Sequence, residues 1–153
     1  MKKACIVSTD SFYNNNRLFA LEDRIANRDN CLLPFYALKQ QLKESGFDLA
    51  TSDLHSVDDS ELVIYNEMPA RLPSAEALER SCLLLFESEL IRPDNWQLES
   101  HRAFSKIFTW HDDFVDNKKY FKMNFSFQLP DQINRDLAKK DKFCALIAGH
   151  KRV

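Results

Sequence analysis

A chain of 153 residues is about one domain, and at 44% hydrophobic and 29% charged it can bury a real core without any low-complexity tract. The formal net charge of −2, with basic residues scattered among acids, sets up no field that would draw it to nucleic acid or anionic lipid. Only two glycines, Gly46 and Gly149, are present, so neither G-x-G-x-x-G nor G-x-x-x-x-G-K-[ST] can be written and both phosphate cradles are excluded.

The first apolar run, KACIVS (3–8), reads as a strand and is too short for a signal peptide; no run is long enough to span a bilayer. A polar loop, DSFYNNNR (10–17), follows, with part of 17–27 helical. NCLLPFYALKQQLKESG (30–46) predicts a helix: Pro34 is tolerated in the first turn, Phe35, Leu38 and Leu42 share a face, and Gly46 suits the C-terminal cap. FDLAT (47–51) and ELVIYN (61–66) are strands, and SAEALERS (74–81) is a short helix capped by Ser74. CLLLFE (82–87) is the next strand, DNWQLESHRAF (94–104) a helix after Pro93, and KIFTW (106–110) a strand. KYFKMNFSF (119–127) alternates as an edge strand does, and a helical stretch around 131–140 leads into KFCALIAG (142–149). Cys5, Cys31, Cys82 and Cys144 form no C-x-x-C pair, and three of them sit in apolar runs, as free thiols of a reduced, cytosolic protein do.

Strand and helix alternate, and the strands are continuously apolar. That pattern predicts an α/β fold: a Rossmann-like open, mostly parallel sheet with helices on both faces. Right-handed crossovers then bring every strand's carboxyl end to one edge, where the ligand crevice of such sheets lies. KFCALIAG reads as a buried strand with only HKRV after it. The expected organisation is therefore a Rossmann-like domain over 1–140 and, at 141–153, the first strand of a second domain.

Three groups of residues could carry chemistry at that edge. In LLLFESELIRP (83–93) an apolar strand ends in Glu87 and Glu89. Residues i and i+2 of an extended segment point to opposite sides, so the two acids do not form a glycosidase-type pair. One of them, Glu87 at the strand end, is the candidate general base; the alternatives are two solvated acids or an ion pair with Arg92. In TWHDDFVD (109–116), Trp110 offers a sugar-stacking face or core packing, and His111, Asp112, Asp113 and Asp116 form a solvated turn or, less readily, a metal site. In the 10–17 loop, Tyr13 and Asn14 through Asn16 supply directional donors and acceptors suited to a hydroxyl-rich ligand, as any exposed turn also does.

RDNCLLPFYALKQQLKESGFDL, LLLFESELIRPDNW, KIFTWHDDFVDNKKYFKMNF and KFCALIAGHKR together resemble the first half of bacterial α-1,3/4-fucosyltransferases, glycosyltransferase family ten, from about residue 28 onward. KIFTW-DD-VDNKKYFK continuing to KFC-LIAG is the most distinctive part. The resemblance implies the amino-terminal, acceptor-side domain of a GT-B enzyme that inverts the anomeric centre and needs no bound metal or cofactor. Its motif FE-x-E implies that Glu87 is the base; Glu89, Asn14, Trp110 and His111 are then candidates to bind the acceptor in the cleft. GDP-fucose would be held mainly by a second domain beyond Val153, so that the chain alone would not transfer fucose. The implied partner is a glycan acceptor such as lipopolysaccharide O-antigen. The implied location is the cytoplasm, peripheral to the inner membrane where a basic tail anchors the longer protein. Two other readings stand beside this one: a self-contained flavodoxin-like binding or signalling module without catalysis, and a metal-dependent sugar transferase using the 111–116 acids.

Overall fold

The structure, a computed structural model, describes residues 1–125 together with Asp136 and Ala138. The helix expected around 131–140 and the strand expected at 142–149, with the domain boundary they imply, lie outside the described residues.

Six strands form one all-parallel sheet in the order β2-β1-β3-β4-β5-β6: β1 (Lys2–Ser8), β2 (Phe47–Thr51), β3 (Leu62–Asn66), β4 (Ser81–Leu85), β5 (Lys106–Thr109) and β6 (Tyr120–Lys122). This is the expected Rossmann-like α/β architecture. Continuous apolar runs produce it because each central strand is buried on both faces: Ala4 and Ile6 of β1 point to one side, Cys5 to the other, and all three are fully buried.

The first face is covered by α1 (Leu33–Glu44), whose Phe35, Leu38 and Leu42 pack with Leu18, Phe19, Ala26 and Leu32 on Ala4, Ile6, Leu49 and Ile64. Pro34 lies in the first turn, and Gly46 follows the last turn at φ +87, its N–H donating to the Lys43 carbonyl at 3.0 Å. Chain 9–32, before the helix, is shaped by side-chain caps. Asp23 accepts the Arg17 guanidinium at 2.6 Å and the Ile25 and Ala26 N–H groups, which hold its carboxyl down at about 2. Only a 3-10 turn, Arg17–Phe19, forms in the part expected to be helical.

Crossovers after β2 run the opposite way along the sheet, and right-handedness sends them to the second face. There Met68, Phe104 and Ala103 cover Cys5, Val63, Tyr65, Leu83, Leu85 and Ile107. The α-helices expected at 74–81 and 94–104 are not formed. The first is a 3-10 turn, Ala75–Arg80, with no Ser74 side-chain cap, and the second breaks into 3-10 turns Pro93–Trp96 and Ser100–Ala103. Both are too short to propagate. The second also places Asn95 and His101 where tertiary partners, rather than an α-helical ladder, satisfy them.

Candidate functional site

The loops leaving β1 and β3 go to opposite faces, and between them the sheet has its topological switch point, the usual crevice of such folds. A groove of about 1260 Å³ opens there and continues over the first face of β3, β4 and β5. Its floor is apolar, with Ile64, Leu84, Phe86 and Phe108 facing Phe35 and Leu38 of α1; its rim is polar, with Thr9, Tyr13, Asn66, Glu67, Glu87 and Arg92.

Glu87 is one of those rim residues. It does not close β4, which ends at Leu85, but lies in the bend that follows, because Phe86 and Glu87 turn their N–H groups away from the ladder toward a carboxylate. Its backbone is held from both sides. The N–H donates to Glu67 Oε1 at 3.0 Å, while the carbonyl accepts Trp96 Nε1 at 3.1 Å and Asn95 Nδ2 at 3.5 Å. Among the described residues its half-buried side chain has no hydrogen-bond or ion-pair partner, so a fixed backbone presents an uncommitted carboxylate to the groove. Arg92 is not its ion-pair partner: the guanidinium clasps Asp94 through Nε and one terminal nitrogen, at 2.9 and 2.6 Å, and also donates to the Met68 carbonyl. The Asp94 hydrogen bond raises the Arg92 pKa further, and the nearby charges of Glu67 and Glu87 add to it.

From the rim residue Glu67 a buried polar chain runs inward. Glu67, 8% exposed, accepts N–H groups from Phe86 and Glu87 on Oε1 and the Asn95 side-chain amide on Oε2. Asn95, with no exposed surface, accepts the Met68 N–H at 2.9 Å on Oδ1. Its main-chain carbonyl accepts His101 Nε2–H at 2.7 Å, which leaves His101 Nδ1 to accept the Tyr120 hydroxyl at 3.0 Å. Burial pushes the Glu67 carboxyl above the ordinary carboxylate range, against the pull of its three donors and of Arg92. Burial likewise lowers the His101 pKa and keeps the ring neutral.

The other expected residues lie elsewhere. Glu89 is exposed and does not line the groove. Asn14 lines a separate, smaller hollow with Asn15, Asn16, Arg17 and Lys39; its neighbour Tyr13 is the one that reaches the groove. Trp110 and His111 pack with Trp96 and Phe114, ring centroids 5.0 to 5.9 Å apart, and do not line the groove. Through Trp96 that cluster supports the Glu87 carbonyl. Asp112 pairs with Lys122, and Asp116 accepts the N–H groups of Lys118, Lys119 and Tyr120. Among the described residues no group of three or more His, Cys, Asp or Glu is placed to hold a metal ion. Cys5, Cys31 and Cys82 are free thiols, and no described helix is long and apolar enough to cross a membrane.

Sequence reasoning passed over Glu67, Asn95 and Trp96. A signal for Glu67 was available: in ELVIYNEM an acid follows a strand end just as Glu87 does, and the parallel sheet brings both to one edge. For Asn95 there was none, since its value comes from contacts 27 and 28 positions away along the chain. No protein-family model, curated protein or solved structure matches this chain.

Proposed function

We propose that this chain is the acceptor-side domain of an inverting fucosyltransferase that moves L-fucose from GDP-fucose to a glycan hydroxyl, with Glu87 as general base. The observation that carries the reading is the Glu87 carboxylate on the rim of the switch-point groove, without a hydrogen-bond or ion-pair partner among the described residues and with its backbone clamped on both sides. The resemblance of the FE-x-E segment to family-ten fucosyltransferases supplies the substrate class. In this mechanism Glu87 removes the proton of the acceptor hydroxyl as that oxygen attacks the fucose anomeric carbon from the face opposite GDP. The glycosidic C–O bond to the diphosphate breaks as the new one forms, and the diphosphate leaves with the electron pair. Tyr13, Asn66 and Arg92 offer the rim's donors and acceptors to the acceptor's other hydroxyls. The donor is assigned to a second domain, so the cytoplasmic, membrane-peripheral enzyme would be a longer chain.

The test extends the reading frame past Val153 and assays the product with GDP-fucose and N-acetyllactosamine. Wild type is expected to turn over, and Glu87→Gln to lose roughly 10²- to 10⁴-fold in kcat. Wild-type kcat in Glu87→Gln would remove the base assignment. A second reading, a flavodoxin-like binding module, is favoured by one observation: β2-β1-β3-β4-β5 is the flavodoxin strand order. A stop codon directly after Val153, together with no transfer under any donor, would favour it.

A further inference from the structure

Glu67 is the one buried carboxylate among the described residues, and the chemistry above does not use it. Its backbone lies in the left-handed region, at φ +71, which a glutamate adopts only when its surroundings compel it. The compulsion is visible. Its N–H donates to the Leu84 carbonyl at 3.0 Å, and its two carboxylate oxygens receive Phe86 N–H, Glu87 N–H and the Asn95 amide. Three of these bonds tie the end of β3 to the β4 end and the bend that carries Glu87, and the fourth ties it to Asn95 in the turn Pro93–Trp96.

We infer that Glu67 is a positioning residue: by clamping the Phe86 and Glu87 amides from below, it sets the direction in which the Glu87 side chain leaves the backbone. This rests on the reading of Glu87 as the base. Glu67 is not a second base, since both of its oxygens are committed to donors and almost no surface is exposed. Each of its three side-chain partners donates, so the clamp fits an ionised carboxylate. With Gln at this position the amide oxygen can still accept the two main-chain N–H groups, but the amide nitrogen faces the Asn95 nitrogen, donor against donor. Glu67→Gln thus keeps the shape and removes the charge.

The first arm uses this chain. In nitrogen-resolved amide exchange, Phe86 and Glu87 are expected to be protected in wild type and to lose roughly 10- to 100-fold in Glu67→Gln, the contribution of a charged hydrogen bond, while Ile6 and Val63 stay unchanged. Should Glu67→Gln fail to fold, the wild-type chain decides: the Phe86 and Glu87 amide proton shifts must follow the titration of the Glu67 carboxyl carbon. Amides that ignore both the substitution and that titration overturn the proposal. The second arm uses the longer transferase. Glu67→Gln is expected to lower kcat at least about tenfold, with acceptor KM within about twofold, since binding groups stay in place while the base is misaimed. An unchanged kcat sinks the positioning role even if Glu87→Gln is dead. Conversely, full activity in Glu87→Gln removes the base reading while the amide arm still reports on the clamp.

Discussion

Asn95 has no exposed surface, and its side-chain oxygen, side-chain nitrogen and main-chain carbonyl all serve partners from other parts of the chain. Truncation to alanine would leave one buried oxygen of Glu67, Oε2, and the Met68 N–H without their partner, a loss of about 2–4 kcal/mol; the urea midpoint measures it, and a change under about 0.5 kcal/mol would contradict the buried geometry. Asn95→Asp is the sharper probe, because it sets carboxylate against carboxylate at Glu67. It is expected to destabilise most at neutral pH and to recover toward wild type as the pH falls and the pair binds a proton. His101 reports with the opposite sign. Its ring is held neutral by burial, so the unfolded chain binds a proton more readily than the folded one. Its share of stability is full above about pH 6.5, the ordinary histidine value, and is lost as the pH falls through the lowered folded value.

The helix α1 ends where it does because Gly46 takes a left-handed backbone that closes the last turn and then hands the chain to β2, with the Gly46 carbonyl accepting Lys2 N–H at 2.9 Å. A Cβ at Gly46 would meet nothing within 4 Å, so any cost of Gly46→Ala is backbone strain alone. Thermal unfolding should show a loss of about 1 kcal/mol for Gly46→Ala and less for Gly46→Asn, which tolerates that conformation. Equal stabilities would mean that the cap is not under conformational demand. The connections on the second face obey a different logic. Short 3-10 turns suffice there because their residues are fastened by tertiary hydrogen bonds, as Arg80 is to the Val57 and Ser60 carbonyls.

Across the molecule, ionisable groups pull the pH profile in two directions. Asp23, held near 2 by Arg17 and two N–H groups, favours the folded state above the ordinary carboxylate range and loses that share as the pH falls through about 2. Glu67, raised by burial, does the reverse: its share is full below the ordinary range and is lost as the pH rises through its elevated folded value. Between about pH 6.5 and 5, therefore, the decline on acidification is assigned to His101. Urea midpoints over pH 5–8 should fall more steeply toward acid in wild type than in His101→Gln; parallel curves would refute the assignment. Handedness also explains the groove. Among the described residues one crossover, with α1, serves the first face while the others go to the second, so the groove lies between the α1 residues Phe35 and Leu38 and the strand residues Leu84 and Phe108.

Much of this was legible in the residues. Apolar runs bounded by turns located the first five strands to within a residue or two, whereas the edge strand expected at 119–127 is formed only over Tyr120–Lys122 among the described residues; Pro34 and Gly46 bracketed α1, because those signals act over a few neighbouring positions. The parallel sheet and its ligand edge followed from handedness, so Glu87 could be placed at the crevice before any coordinate was known. Helix content at 74–81 and 94–104 was misread, since local propensity cannot weigh a distant hydrogen bond against a helical one. The neighbours of Glu87 were beyond reach for the same reason. Glu67, Asn95 and Trp96 meet its backbone only because parallel strands and their loops bring separate segments together, and no short-range pattern encodes that meeting.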